Sequence, residues 1–181
     1  MAVKTFTTEV LTSADTNTYL ANSGLVYVTS TALSGASTTI TNCFSSTYDA
    51  YRCVLTNVLT AGSWVGIQLG STTTGYYFAG TVAYYASGNF VGSYFGNNGA
   101  SWSSMGPQSS GSITGGSAVD IFNPFLATET SFSSTVHFLN TASGYAGTVH
   151  GFQNSDTSFT GMTMLGTSMS GTITIYGYRK G

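Results

Sequence analysis

From Leu25 onward the large apolar side chains recur with a period of two, and this spacing limits what the chain can fold into more than any other feature. Successive side chains of an extended strand point to opposite faces, so a period of two sends one set into a core and the other into water. In GTITIYGY (171–178), Ile173 and Ile175 fall on one face and Thr172, Thr174 and Tyr176 on the other. Tyr51, Cys53 and Leu55 alternate in the same way with Arg52 and Val54. Such runs, bounded by turn residues, predict strands over 25–29, 38–44, 50–59, 65–69, 76–85, 89–94, 117–122, 136–140, 146–153, 161–165 and 171–178. Many short strands and almost no helix predict an all-β domain over 25–181, an antiparallel β-sandwich of jelly-roll type.

Residues 1–24 read differently. Thr5 to Leu11 is predicted to be an extended arm, followed by a short helix that Ser13 or Asp15 caps and Gly24 stops. Phe6, Val10, Leu11, Tyr19 and Leu20 are its apolar side chains, which makes them candidates for docking onto another surface.

The chain has four Lys and Arg and six Asp and Glu in 181 residues, whereas a soluble domain keeps about a quarter of its residues charged. Ser, Thr, Asn and Gly must therefore wet the surface. A flexible linker has a related composition but lacks the 14% of aromatic residues found here. A net charge of -2, with Arg179 and Lys180 as the sole adjacent basic pair, leaves no stripe to neutralise a phosphate backbone, so nucleic acid is not an expected partner. No apolar run approaches the roughly 20 residues of a membrane-spanning helix. Polar FTTEVLTSAD follows Lys4 where a signal peptide would be apolar, so assembly in a cytosol is expected. Lysine, a common guard of sheet edges, occurs only at Lys4 and Lys180, and uncharged edges tend to pair with other chains. A closed homo-oligomer is the expected solution.

Groups that could perform chemistry are few. His137 and His150 fall on neighbouring predicted strands with Asp156 in the turn beyond, but no nucleophile elbow, H-E-x-x-H helix or third ligand accompanies them. Locally hydrogen-bonded sheet residues are the favoured reading. Asp49 precedes Arg52 by three residues, where a local ion pair or a turn cap accounts for both, and Asp120 lies inside an apolar strand as a structural partner. The glycines of GSITGG precede no helix, and Asn154 to Asp156 is too sparse for calcium. No catalytic residue, metal or cofactor is expected. Cys43 and Cys53 would face each other if their strands formed a hairpin near Tyr48; such geometry permits a disulfide, while a cytosolic origin favours two buried thiols.

What remains is recognition. Trp64, Trp102, Tyr76, Tyr77, Tyr84, Tyr85, Phe90, Tyr94 and Phe95 crowd into one third of the chain. Within each adjacent tyrosine pair one ring should be core and the other outward. Residues 96–116 are nearly pure turn chemistry and predict a long surface loop, either functional or a plain connector. From the aromatic cluster and this loop, Trp102, Tyr94, Phe95, Asn97 and Asn98 are the candidate contacts to a receptor glycan, with a sister subunit as the competing use of outward rings.

TSADTNTYLANSGLVYV, FSSTYDAYRCVLTNV, GYYFAGTVAYYASG, VDIFNPFLAT and GTITIYGYRK together resemble virion proteins of tailed bacteriophages, in particular tail-fibre and adhesin-like structural proteins. The resemblance spans nearly the whole chain. It implies a non-enzymatic virion component, assembled in the host cytoplasm as a homotrimer, that attaches to other virion proteins through its N-terminal segment. It further implies a sandwich offered to the outside, as a tail fibre contacting host glycan or as a capsid decoration or head-fibre protein. A cellular carbohydrate-binding module is the third expectation.

Overall fold

The computed structural model describes residues 24–85, 90–109, 113–139 and 144–179, without the side chains of 90–94, 138, 139 and 145. The strands are β1 (Leu25–Ile40), β2 (Ala50–Leu59), β3 (Gly66–Leu69), β4 (Tyr76–Tyr84), β5 (Phe90–Gly99), β6 (Gln108–Ser109), β7 (Gly115–Phe122), β8 (Thr130–Leu139), β9 (Gly144–Gln153) and β10 (Met162–Tyr178). Among the described residues there is no helix. The predicted arm and capped turn, with Phe6, Val10, Leu11, Tyr19 and Leu20, lie outside them.

All strands belong to one sheet, hydrogen-bonded in the order β1-β10-β2-β7-β8-β9-β4-β5, with β3 also on β10 and β6 on β8. Every described pairing is antiparallel except β6 with β8. The alternation read from the sequence sets the faces. Tyr51, Cys53, Leu55, Ile173 and Ile175 are at most 1% exposed, while Arg52, Val54, Thr172, Thr174 and Tyr176 are half-buried on the outer side.

Two pairs of predicted strands prove to be single long ones. The Gly-Ser breaks expected near 30–37 and 166–170 are irregularities within β1 and β10, which pair with each other on both sides of them, with Gly35 and Gly171 in the positive-φ region. A glycine relieves the backbone strain at such a point without ending the strand. β8 begins at Thr130, before the predicted Val136, because Phe132 and Ser134 point inward and Ser134 donates to the Met105 carbonyl.

The segment after β5 contradicts its predicted place at the surface. Trp102 and Met105 are fully buried and Ser104, Gly106 and Pro107 are buried beside them. Trp102 and Ile67 of β3 exchange backbone hydrogen bonds, both 2.9 Å, and Met105 donates to the Val65 carbonyl at 2.9 Å. The indole packs edge-on against Tyr76 of β4 (centroids 5.4 Å) and at a 47° tilt against Phe132 of β8 (4.6 Å). Its Nε1–H donates to the Phe152 carbonyl of β9 at 3.1 Å. One residue thus ties β3, which sits beside β10 and meets its backbone, to the β8–β9–β4 part of the sheet, which meets its side chain. The buried apolar residues around this segment form one cluster. Further along, Thr60 and Ser109, both buried, hydrogen-bond to each other and anchor the end of the segment.

The sheet's terminal strands are blunted by irregular pairing. On β1 the register shifts between Tyr27 and Thr29, and β5 carries extra residues opposite Tyr76/Phe78 and Val82/Ala83. The pairings β7–β8, β8–β9 and β9–β4 run without a shift. Bulges twist an edge away from a flat partner and so do the work that lysine does elsewhere.

Cys43 and Cys53 are not on a hairpin, since β10 lies between β1 and β2. Both are free and buried. Burial pushes the Cys43 thiol up to about 12 and also raises that of Cys53, so both stay protonated and behave as small core residues.

Trp102→Ala would remove the largest fully buried side chain and its hydrogen bond. Urea unfolding is expected to show a loss of about 3–5 kcal/mol, the range for emptying an aromatic core site.

Candidate functional site

Because β8, β9 and β4 pair without a bulge, their outer side chains form a regular array. Ser133, His150 and Ala79 are register partners, as are Thr135, Thr148 and Thr81 in the next row. Extended across the whole sheet, the first row runs Tyr27, Tyr176, Arg52, Asp120, Ser133, His150, Ala79 and Phe95. Its members change in character from aromatic to ionic to hydroxyl and back to aromatic.

At one end of this array lies an open groove of ≈ 650 Å³ bordered by Tyr77, Glu129, Ser131, His150 and Phe152. Tyr77 and Phe152 are cross-strand partners with rings stacked at 5.1 Å and 17°. Phe152 is 39% exposed, high for a phenylalanine, while Glu129 and His150 are exposed beside it. Gly151 makes the floor possible: a Cβ there would meet the Tyr77 carbonyl at 2.2 Å and the Phe132 ring at 2.7 Å. The Trp102 hydrogen bond to the Phe152 carbonyl holds the same residue from beneath. Aromatic faces ringed by a carboxylate, an imidazole and a hydroxyl can bind a flat ligand that presents C–H groups and hydrogen-bond donors.

The predicted contacts divide. Phe95 is 75% exposed and pairs in register with Ala79, so it stands on the same face as the groove. Asn97 and Asn98 are exposed but form the extra residues of a β5 bulge; Asn98 has φ 55° and its Oδ1 accepts the Gly75 N–H at 2.9 Å. That is a backbone task, and Asn is among the residues that tolerate it. Tyr94 is paired with Gly80 along β5, its side chain lying outside the described residues. Trp102 is no surface contact at all: it is 0% exposed, because its ring is spent on Tyr76, Phe132 and Phe152. The tyrosine alternation holds for the first pair, with Tyr76 fully buried and Tyr77 half-buried on the outer face, but not for the second, where Tyr84 is only half-buried and Tyr85 is 60% exposed, so neither ring is core. The partnership of Tyr77 with Phe152 depends on strands 75 residues apart in sequence meeting in one register, which no local pattern encodes. A local hint was the alternation of His150 and Phe152 with Val149 and Gly151.

The ionic residues are structural. Arg52 makes a bidentate bond to its register partner Asp120, with Nε–Oδ1 2.8 Å and Nη2–Oδ2 2.7 Å. Tyr178 donates to Asp120 Oδ1 at 2.7 Å, and the Arg52 guanidinium lies 5.8 Å from the Tyr178 ring centre. Partial burial works against the Asp120 carboxylate, but the bonds from Arg52 and Tyr178 outweigh it and hold its pKa below the ordinary value. His137 and His150 sit four register positions apart on β8 and β9, so they do not share a site. His137 Nε2 accepts the Gly116 N–H at 3.3 Å, and burial lowers its pKa. Among the described residues no three His, Cys, Asp or Glu side chains are grouped to hold a metal ion.

Comparison of the chain with protein-family models, with curated proteins and with solved structures finds no match.

A carboxylate whose pKa is depressed on folding adds stability that is present above its unfolded value, about 3.9. That stability disappears as the pH falls through the lower folded value. Asp120→Asn is therefore expected to lower stability at pH 7 and to flatten its decline between pH 5 and pH 2 in thermal melts. An unchanged acid limb would assign that decline to other groups.

Proposed function

We propose that this chain is a non-enzymatic structural protein of a tailed-bacteriophage virion, a tail-fibre or receptor-binding component that works as a homo-oligomer and meets the host surface. The observation that carries the reading is the outer face of β8, β9 and β4: a rigid, unbulged panel of hydroxyls ending in an exposed aromatic groove, on a chain with very few charges. Such a face recognises by shape, stacking and hydrogen bonds. It also suits the resemblance to adhesin-like virion proteins carried by the sequence motifs. The finer architecture we infer is a jelly-roll-like β-sandwich, supported by the way the Trp102 segment and the strands around it share one buried core.

A second reading, capsid decoration or head fibre, draws on a different surface. Leu25 and Tyr27 of β1 are 40% and 61% exposed next to Tyr176 and Tyr178 of β10, and an apolar patch of this kind suits permanent packing against another virion subunit.

Phage carrying Phe95→Asp separates the two. The chain is expected to remain in purified particles by mass spectrometry while adsorption to host cells slows by about tenfold, the scale of one lost hot-spot residue. Particles that lack the chain even when it is unmutated would end the virion reading. Normal adsorption of the variant would end the host-contact role of this face and favour decoration.

A further inference from the structure

We infer that the groove between β4, β8 and β9 is a subsite for a neutral pyranose, that is, an uncharged sugar ring of a surface polysaccharide. The inference deepens the host-contact reading above and rests on it for biological meaning, though not for the chemistry.

A pyranose has one face of C–H groups and a rim of hydroxyls. The C–H face needs a flat apolar wall, and Phe152, stacked on Tyr77 and 39% exposed, supplies one. Its hydroxyl rim needs acceptors and donors at the edge of the wall. Glu129 offers two carboxylate oxygens, while Ser131 and His150 can donate or accept. Wall and rim are thus built from three strands on one face.

Charge selects among sugars. The ionisable side chains bordering the groove are Tyr77, Glu129 and His150, and no Lys or Arg lines it among the described residues. The nearest cation along the row, Arg52, is engaged by both oxygens of Asp120 on the far side of Ser133. A uronic acid or sialic acid would therefore bring its carboxylate to Glu129 with no lysine or arginine there to offset it. Like charges placed together are a device for rejecting a competitor. Neutral hexoses escape that repulsion and gain an acceptor for their hydroxyls.

Preorganisation favours binding as well. The Phe152 backbone is held by β4 and β8 on either side and by Trp102 from beneath, so little ordering remains to be done when a ligand arrives.

The test uses the full chain and a panel of soluble probes: methyl glucoside, methyl galactoside and methyl mannoside against glucuronate and N-acetylneuraminate, with binding read by NMR titration. At least one neutral glycoside is expected to give saturable shifts centred on Phe152 and His150, with the acidic sugars about tenfold weaker or more. Phe152→Ala should weaken the neutral probe by about tenfold. The near-isosteric Glu129→Gln, which leaves the fold's core untouched, should narrow the gap between neutral and acidic sugars. Absence of saturable binding by every neutral probe overturns the inference, as does equal binding of acidic sugars or indifference to Phe152→Ala in a variant with a native melting profile. A change of oligomeric state on Phe152→Ala, seen by sedimentation, would instead give the groove to a second copy of the chain and also overturn it. The two readings fail separately: sugar binding with normal adsorption of Phe152→Ala phage keeps the subsite and removes the host contact. Slowed adsorption without neutral-sugar binding does the reverse.

Discussion

Trp102 is the interaction on which the rest depends. A sheet of this width has one apolar face to hide, and no helix among the described residues covers it. The segment 100–107 lies against that face, pairs its backbone at Trp102 and Met105 with Ile67 and Val65, and places an indole where three strands converge. Buried tryptophan is tolerable there because its one polar atom has a carbonyl to meet. The hydroxyls around it are similarly matched, as at Thr60 and Ser109, so the polar character of the segment does not prevent its burial.

Scarce charge shapes the outside in a related way. Arg52 and Asp120 face each other on adjacent central strands and are tied in by Tyr178, so the sheet spends an ion pair on register where it could have spent it on solubility. Edges that lysine would guard are instead irregular, while the run β7–β8–β9–β4 is regular, although β10–β2 and β2–β7 also shift register. This reverses the usual expectation for a weakly charged β protein, in which flat edges invite pairing. Any association is left to faces, where the exposed rings are.

Much of the fold was legible because period two is a strong local signal. The faces of β2 and β10 followed from Tyr51, Cys53, Leu55, Ile173 and Ile175 alone, and the outward turn of Tyr77 from its neighbour Tyr76. Less legible was whether a glycine ends a strand or bends it. Gly35 and Gly171 do the latter, because each long strand has the other as a partner across the irregularity. The candidate site was harder still. Trp102 stands among Ser and Gly, and that surrounding suggests a solvent loop, although a lone tryptophan in such company is itself a reason to look for a burial place. Phe95 kept its outward position, but the Tyr77 and Phe152 pair arises from long-range register, and the sequence around Glu129 held no sign that it would border a groove.

Strict alternation on β8 and β9 has one more consequence. Phe132, Ser134, Val136 and Val149 maintain the core, whereas Ser131, Ser133, Thr135, Thr148 and His150 are interleaved with them on the outward side of the same strands. The chain therefore carries two nearly independent inventories of residues in the same few strands. Substitutions in the outward inventory can accumulate and redraw the surface while the inward one preserves stability, which gives this sheet room to change what it recognises without having to learn to fold again.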